Sequence, residues 1–372
     1  MKYYLIAGEA SGDLHGSNLL KGLKQVDSNS KCRYWGGDKM QEQGGELVQH
    51  YKESAFMGFL EVILNLGKIL KNIKKCKSDI LKYSPDVLIL IDYPGFNLRI
   101  AEFAKKNGIK VFYYISPKIW AWKENRIKKI KAYVDRMFVI FPFETEFYKK
   151  HNFQVEFVGN PLLDAIDKKK KEKNNLLNFK EKNNLNNKAI IAILAGSRKQ
   201  EIDKNLSIML DLIPKYKNYQ FVIAAAPSIE NDYYKKFTKE HDVKLVSNQT
   251  YDVLKYSQAA LVTSGTATLE TALFNVPQVV CYKAGKISYT IAKQFVKIKF
   301  ISLVNLVMDK EVVKELIQND MNLNKISEEL NKILNKENYR NEMLNNYALL
   351  HKKLGGTGTS KRVASLIYNY LI

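Results

Sequence analysis

The turn Ser264-Gly265-Thr266 has the residue types of a phosphate-binding site, and it lies between the apolar stretch Ala259–Val262 and a helical pattern. Gly265 lets the backbone approach a ligand closely, and the free N–H groups at a helix start attract phosphate. Glu270 does not complete a capping box from Thr266, so it is available to a ribose diol. The alternative is an ordinary capped helix start, with Glu270 complementing the helix dipole.

A second turn of this kind, Gly196-Ser197-Arg198, follows the apolar stretch Ala189–Leu194. A guanidinium binds phosphate through a planar fork of donors and stays charged at any working pH. By itself the motif fits a tight turn with a solvated arginine equally well. Two turns suited to binding an anion lie in the same half of the chain, and this favours a diphosphate bound by both.

A glycine-rich loop, Gly8-Glu9-Ala10-Ser11-Gly12-Asp13, directly follows the apolar run Tyr3–Ala7. Gly8 and Gly12 permit a tight turn, and Glu9 and Ser11 offer polar side chains. The pattern is not GxGxxG, so neither a nicotinamide nor a flavin cofactor is indicated. A helix start capped by Ser11 or Asp13 is the simpler alternative.

Asp92 ends the otherwise apolar stretch Val87–Ile91 and precedes Tyr93-Pro94-Gly95. A carboxylate in a desolvated site can have a raised pKa and act as a general base. Spacing alone does not separate this role from that of a cap on the turn before Pro94.

The sequence lacks the motifs of several other kinds of enzyme and of metal sites. The sequence has no Asp-x-Asp pair, Walker A loop or Gly-x-Ser-x-Gly elbow, and its five histidines are scattered. The three cysteines, Cys32, Cys76 and Cys281, are too far apart for a CxxC site and odd in number. We therefore expect no metal, no cofactor and no disulfide framework, which fits a reducing cytoplasm.

Short apolar runs alternate with helical patterns through both halves of the 372 residues. This pattern predicts an α/β protein with two parallel sheets covered by helices, in which loops after strands carry the ligands. We expect an N-terminal Rossmann-like domain over 1–166, a flexible Lys/Asn-rich linker over 167–188, a C-terminal Rossmann-like domain over 189–345, and a tail helix within 346–372.

The chain is strongly basic, with 59 Lys+Arg against 38 Asp+Glu and a net charge of +21. Such an excess favours nucleic acid, an anionic membrane or phosphorylated ligands, although a general Lys/Asn bias explains it equally well. The first apolar run is too short for a signal peptide, and no run is long enough to predict a transmembrane helix.

The segment Phe56–Lys75 predicts a helix whose apolar surface is wider than packing on one core requires. Lysines follow towards its end, so contact with an anionic membrane surface or with acyl chains is favoured. Burial on two sides and a homodimer contact remain alternatives. The residues expected to make the contact are Phe56, Phe59, Val62, Ile63, Leu66, Ile69 and Leu70.

Together these stretches resemble the lipid-A-disaccharide synthase family, and they occur in that family's order along nearly the whole chain. The matching segments are AGEASGD at 7–13, MGFLEV at 57–62, IDYPGFN at 91–97, YYISPKIWAWKENR at 113–126, FPFE at 141–144, FVGNPLLD at 157–164, LAGSRKQEI at 194–202, TSGTATLE at 263–270, VVCYK at 279–283, FISLVN at 300–305 and VKELIQ at 313–318.

The resemblance implies an inverting, metal-independent glycosyltransferase of the GT-B fold, with two Rossmann-like domains facing across a cleft. It also implies that the C-terminal tail helix returns to the first domain. The implied substrates are UDP-2,3-diacylglucosamine and 2,3-diacylglucosamine 1-phosphate (lipid X), with no nucleic acid. The implied location is cytoplasmic, peripheral on the cytoplasmic face of the inner membrane of a Gram-negative bacterium.

The resemblance also implies roles for individual residues. Asp92 is the general base, and Glu270 binds the ribose. The diphosphate is held by Gly196, Arg198 and the 264–266 turn, Asn305 lies near the donor, and Gly8, Glu9, Ser11 and Gly12 face the acceptor or the donor sugar.

Two departures from the family pattern concern loop rigidity more than chemistry: Ala195 and Val304 stand where the family usually has proline. The closest rival functions are a lipid II-type transferase and a UDP-GlcNAc 2-epimerase, neither of which requires the wide apolar helix. A basic nucleic-acid-binding protein is the rival from another class, and the strand–turn–helix loops argue against it.

Overall fold

The computed structural model describes residues 1–53, 65–172, 175–285 and 299–372. Its chain divides into two compact units. The first unit comprises residues 1–161 together with 354–372, and the second comprises residues 162–353.

The first unit is built on a seven-stranded parallel sheet in the order β3-β2-β1-β4-β5-β6-β7. Its strands are β1 (Lys2–Ala7), β2 (Lys31–Gly36), β3 (Glu46–His50), β4 (Val87–Ile91), β5 (Lys110–Tyr114), β6 (Arg136–Val139) and β7 (Glu156–Phe157). Its described α-helices are Ala10–Val26, Asp38–Glu42, Leu66–Tyr83, Pro94–Lys106, Ile127–Tyr133, Pro142–Lys150 and Thr359–Asn369.

The central strands of this sheet are apolar along their whole length because both faces are covered. Every residue of β4 is buried, and so is every residue of β1 after Lys2. Successive side chains then enter opposite cores: Tyr4 and Ile6 pack on one face, and Tyr3 and Leu5 pack on the other. Continuous apolar runs of this kind are typical of parallel strands.

The C-terminal helix Thr359–Asn369 belongs to the first unit and packs against the helix Ala10–Val26. A Cβ added at Gly22 would lie 2.9 Å from the Cβ of Ala364, so the two helices approach closely at that glycine. Val363 and Ile367 are fully buried in the same core as β1.

The second unit has a six-stranded parallel sheet in the order β10-β9-β8-β11-β12-β13. Its strands are β8 (Ala189–Leu194), β9 (Tyr219–Ala225), β10 (Val243–Ser247), β11 (Ser257–Val262), β12 (Gln278–Tyr282) and β13 (Glu315–Ile317). Its described α-helices are Leu162–Lys171, Leu176–Lys182, Lys199–Leu210, Asn231–Thr238, Thr250–Lys255, Thr266–Leu273, Leu303–Met308, Leu323–Asn335 and Glu337–Lys353.

The Lys/Asn-rich segment 167–188 differs from the flexible linker that its composition predicts. Most of it lies in the helices Leu162–Lys171 and Leu176–Lys182, which belong to the second unit. Phe179 is buried, and the Lys169 ammonium lies 2.9 Å from the Asp252 carboxylate. A few apolar side chains at helical spacing are enough to dock a segment that is polar on average.

The apolar helix predicted over Phe56–Lys75 is described from Leu66 onward, and it continues to Tyr83. Phe56, Phe59, Val62 and Ile63 lie outside the described residues. Among the helices that the structure describes, none combines the length and the apolar character needed to cross a bilayer.

Candidate functional site

Each sheet has one pair of neighbouring strands from which the chain winds outward in opposite directions, and ligands of open α/β sheets bind beside such a pair. In the second unit this pair is β8 and β11. Leu194 and Val262 at their carboxyl ends are aligned, and the Thr263 N–H donates to the Leu194 carbonyl over 2.8 Å. The turns 195–198 and 263–266 therefore lie side by side.

The first of these turns presents an exposed arginine. Gly196 has φ 116°, and a Cβ added to it would lie 2.6 Å from Glu201. Glu201 accepts hydrogen bonds from the Ser197 N–H at 2.9 Å and from the Arg198 guanidinium at 3.3 Å. Because the Arg198 side chain is 70% exposed, this orienting contact leaves most of its donors accessible.

The second turn begins the helix Thr266–Leu273, whose N-cap residue is Gly265. No side chain caps this helix, so the capped start that the sequence left open is not what forms here. Gly265 has φ 150°, and a Cβ there would meet no atom of the described part of the chain within 4 Å. Gly265 and Thr266 are exposed, so the described residues leave the start of this helix accessible, which is what an anion site requires.

The Ser264 hydroxyl donates to the Ile301 carbonyl over 2.7 Å. Its single hydrogen is therefore engaged within the protein. Backbone N–H groups, rather than this hydroxyl, are the donors that the turn offers to a ligand.

Glu270 is partly exposed, but it is not entirely available to a ligand. Its Oε1 accepts the Tyr251 hydroxyl over 2.8 Å. Burial raises the pKa of Glu270, and the hydrogen bond from Tyr251 opposes that shift. Sequence reasoning missed Tyr251 because it precedes Glu270 by nineteen residues on another helix.

Asn305, which the resemblance places near the donor, is fully buried. Its Nδ2 donates to the Val313 carbonyl and to Glu315, each over 2.9 Å. Its Oδ1 accepts from the N–H groups of Val312 and Val313. All four hydrogen-bonding positions of the amide are thus used inside the protein.

The corresponding strand pair in the first unit is β1 and β4, where Ala7 and Ile91 are aligned at the carboxyl ends. The loops that follow are in contact, since a Cβ added at Gly8 would lie 2.2 Å from the Tyr93 ring. At Gly12 a Cβ would lie 3.2 Å from the Cβ of Ala7. Both glycines therefore occur where backbone must approach other atoms closely.

The remaining polar residues of the glycine-rich loop have different surroundings. Glu9 is the N-cap residue of Ala10–Val26 but makes no side-chain cap, and its charge adds to burial in raising the pKa of Tyr93. Ser11 is exposed. Asp13 is buried and accepts the N–H groups of Gly37, Lys39 and Met40 at 2.7–3.1 Å, so it caps a neighbouring helix and not its own.

Asp92 directly follows β4 in a left-handed backbone conformation with φ 43°. Its carbonyl accepts the Asn97 amide at 2.7 Å and the Tyr113 hydroxyl at 2.5 Å, which fixes the backbone of the turn. Its carboxylate accepts the Tyr93 N–H. Tyr93, not Asp92, is the N-cap residue of the helix Pro94–Lys106, and that helix has no side-chain cap.

Burial raises the pKa of Asp92, while the Lys118 ammonium opposes that shift. Lys118 lies on the loop after β5, within the motif ISPKIWAW. Spacing along the sequence does not indicate that this lysine is near Asp92.

The loop of Lys118 is held by a buried carboxylate, Glu144. Glu144 accepts the Ser116 hydroxyl, the Trp120 indole N–H and the N–H groups of Ile140 and Phe141. Burial raises its pKa to about 7. Nothing in the local sequence marked Glu144 as a partner of residues 116–120.

The apolar surface predicted for lipid contact is partly present in the described residues. Ile69, Ile73, Cys76 and Ile80 of the helix Leu66–Tyr83 pack on the core. Leu66 and Leu70 instead remain 48% and 57% exposed. Within the described residues no three His, Cys, Asp or Glu side chains form a cluster suited to a metal ion, and the three cysteines are free and buried.

Comparison with known sequences identifies a family over nearly the full length. The sequence model described as lipid-A-disaccharide synthetase matches residues 3–366. The lipid-A-disaccharide synthase of Coxiella burnetii (strain CbuG_Q212) is 38% identical over 372 residues, covering 99% of this chain and 98% of the relative. That of Geobacter sulfurreducens is 35% identical over 374 residues, covering 99% and 96%.

Solved structures with the same fold include UDP-GlcNAc 2-epimerase from Neisseria meningitidis bound to UDP-GlcNAc. The TM-score is 0.69 at 14% sequence identity, and the match covers 99% of this chain and 100% of that chain. CalG4, the calicheamicin glycosyltransferase, gives a TM-score of 0.60 at 14% identity, covering 99% and 98%. At such identities the likeness concerns the fold alone. It confirms the expected GT-B class with two Rossmann-like, parallel-sheet domains.

Proposed function

The chain belongs to the lipid-A-disaccharide synthase family, and we propose how its residues carry out that family's reaction. The enzyme is a glycosyltransferase. It moves 2,3-diacylglucosamine from UDP to the 6-hydroxyl of 2,3-diacylglucosamine 1-phosphate, giving the β-1,6-linked disaccharide 1-phosphate and UDP. The observation that supports the residue assignment is that the predicted loops follow β1 and β4 in one unit and β8 and β11 in the other.

Asp92 is the general base that takes the proton from the acceptor 6-hydroxyl. Inversion requires the hydroxyl oxygen to attack the anomeric carbon as the bond to UDP breaks, so its proton must leave at that stage. A carboxylate with a raised pKa is a better proton acceptor near neutral pH than an ordinary aspartate. The hydrogen bonds to its carbonyl hold the group in place during the transfer.

Arg198 and the helix start at 265–266 stabilise the UDP leaving group. Negative charge grows on the diphosphate as the glycosidic bond breaks, and preorganised donors lower the energy of that state. Gly196 allows the turn that brings Glu201 under Arg198, and Gly265 leaves the helix N–H groups uncovered. The second unit is therefore the donor-binding unit.

The remaining assignments concern the sugar and ribose hydroxyls. Glu270 has one oxygen on Tyr251 and a second that can accept a ribose hydroxyl. Glu9 and Ser11 offer polar groups on the glycine-rich loop, and this loop contacts the Asp92 turn through Gly8 and Tyr93. That contact supports a role for the loop near the acceptor hydroxyl.

The reaction is tested by incubating the purified enzyme with UDP-2,3-diacylglucosamine and lipid X and following the products by mass spectrometry. The disaccharide 1-phosphate and UDP should form in equal amounts. Disaccharide formation should stop when lipid X is omitted. Conversion of UDP-GlcNAc to its 2-epimer without disaccharide would instead support the epimerase alternative.

The partly exposed leucines of the helix Leu66–Tyr83 support a contact with an anionic membrane surface on the cytoplasmic face of the inner membrane. Both substrates carry acyl chains and reside in a bilayer, so the enzyme must reach its surface. Leu66 and Leu70 are one helical turn apart and outside the core. Exposed Lys68, Lys71 and Lys74 surround them, and each lysine near an anionic surface contributes about 1 kcal/mol.

The membrane contact is tested with the double variant Leu66→Ser/Leu70→Ser. It should lose flotation with vesicles of phosphatidylethanolamine and phosphatidylglycerol while keeping the thermal midpoint of the parent enzyme. The matched control is Leu81→Ser, which removes a 51% exposed leucine from the other end of the same helix. Unchanged flotation of the double variant would contradict the proposal, and a concentration-dependent dimer lost in that variant would assign the face to a second copy.

A further inference from the structure

The turn 264–266, which is suited to binding an anion, is held in place by a neighbouring loop. The helix that begins there has no side-chain cap. The Ser264 hydroxyl donates to the carbonyl of Ile301. Ile301 precedes the helix Leu303–Met308, which starts after a Ser302 cap on the Asn305 N–H. The orientation of the turn therefore depends on where the backbone at 301–302 lies.

One carboxylate fixes that backbone. Glu315 accepts the Ile301 N–H on Oε2 and the Ser302 N–H on Oε1, each over 2.9 Å. Its Oε1 also accepts the Asn305 amide over 2.9 Å. Glu315 is the first residue of β13 and is aligned with Val280 of β12, so the carboxylate extends from the sheet itself.

We propose that Glu315 is a positioning residue for the UDP-sugar donor. It clamps the backbone at 301–302, so that the Ile301 carbonyl receives the Ser264 hydroxyl and the turn 264–266 keeps its N–H groups directed at the diphosphate. The buried Asn305 supports the clamp by joining Glu315 to residues 312–313. This inference rests on the proposed donor role of the second unit.

The clamp requires a carboxylate because both oxygens must accept. An amide of the same shape has one accepting oxygen and one NH2 group, which would face a backbone N–H. Hydrogen bonds to a charged acceptor are also stronger than those to a neutral one. Glu315→Gln therefore removes the charge and one of the two acceptors with little change in volume.

The test measures UDP affinity by titration calorimetry and the KM values for donor and acceptor. Glu315→Gln should weaken UDP binding about tenfold, the effect of losing one charge-assisted hydrogen bond. The donor KM should rise in proportion while the acceptor KM stays the same. Glu311→Gln is the matched control, because Glu311 lies four residues earlier and makes only an exposed ion pair with Lys314 among its described contacts.

A double-mutant cycle with Ser264→Ala tests the route of the effect. If Glu315 acts through Ile301 and Ser264, the two substitutions should be less than additive in their effect on UDP affinity. Fully additive effects would overturn the inference, as would an unchanged donor KM in Glu315→Gln. Failure of the parent enzyme to bind UDP would instead count against the proposed function.

Thermal unfolding separates a positioning defect from a loss of the fold. Glu315→Gln should retain a cooperative transition. If Glu315→Gln does not fold, the same UDP titration is made with Glu315→Asp. The shorter aspartate side chain keeps the charge but cannot span both N–H groups, so UDP binding should again be weaker. Wild-type UDP affinity in Glu315→Asp would then overturn the inference.

Discussion

The loops at the same position of the same kind of sheet are packed differently in the two units. After β1 and β4 the loops are closely packed: an added Cβ at Gly8 would overlap the Tyr93 ring, and Tyr93 stacks on Phe96 with ring centroids 5.5 Å apart. After β8 and β11 the turns are open, with space at Gly265 and a largely exposed Arg198.

The difference suits the two proposed roles. The proposed general base Asp92 benefits from desolvation, which raises the pKa of its carboxyl, so close packing around its turn favours that role. A site for a diphosphate must expose donors to a ligand that arrives and leaves in every cycle. The same sheet edge therefore supports a covered turn in one unit and an uncovered turn in the other.

The largest expected effect is on the covered turn. Asp92→Asn should lower kcat by roughly 10²- to 10⁴-fold, the usual contribution of a positioned base. UDP affinity should not change, because no base is needed to bind the donor. Transfer rates are measured with both substrates saturating, and UDP binding by calorimetry.

Asp86→Asn is the control for that variant. Asp86 lies just before the amino end of the same strand, where it accepts the Lys2 N–H over 2.7 Å. Its replacement should leave kcat unchanged. A kcat for Asp92→Asn within a factor of two of the parent value would contradict the role of Asp92 as general base. It would also contradict the proposal that the two units have different roles.

Substitutions at Arg198 in the open turn should affect use of the donor. Arg198→Ala should lower kcat/KM for the donor by about a hundredfold, the order expected for one charge-stabilising donor. Arg198→Lys should recover part of this loss, since it restores the charge but not the fork. Lys199→Gln is the control, because the neighbouring Lys199 ammonium lies over the Tyr233 ring at 5.0 Å. An unaltered donor kcat/KM in Arg198→Ala would contradict the assignment.

The smallest effect concerns the pH profile. Asp92 must be deprotonated to accept a proton, so kcat/KM falls as the pH drops through its pKa. The Lys118 charge lowers that pKa, which burial raises. Lys118→Met should therefore move the acidic limb of the profile to higher pH.

Lys123→Met is the control for this shift, since the Lys123 ammonium lies over the Trp122 ring at 4.4 Å. Its acidic limb should stay where it is in the parent enzyme. Movement of the Lys118→Met limb to lower pH would show that Lys118 acts on another group.

Much of the sheet framework could be predicted from apolar runs alone. The apolar stretches Val87–Ile91 and Ala189–Leu194 are strands with those same bounds. The strands β2, β3, β10 and β13 were not predicted from apolar runs. They carry polar or charged residues, as in Lys31-Cys-Arg-Tyr-Trp-Gly36, and lie on or near a sheet edge where continuous apolar character is not required.

The polar partners of the predicted residues were harder to predict. Tyr251 on Glu270, Glu315 beneath Asn305 and Glu144 beneath residues 116–120 all come from other elements of the chain. A side-chain hydrogen bond between distant segments leaves no periodicity in the sequence. Asn305 was assigned to the donor from its motif alone, and that motif gave no sign of its four hydrogen bonds inside the protein.

The sequence alone determined the alternation of buried strands and helices, the turns after the strands and the family. These follow from local residue types, because apolar periodicity and glycine turns are properties of short segments. Only the tertiary structure decided which turn is covered and which is open, and which carboxylates accept hydrogen bonds from the backbone. Burial and hydrogen bonding depend on the segments that pack against a residue, and the chain brings those together only when it folds.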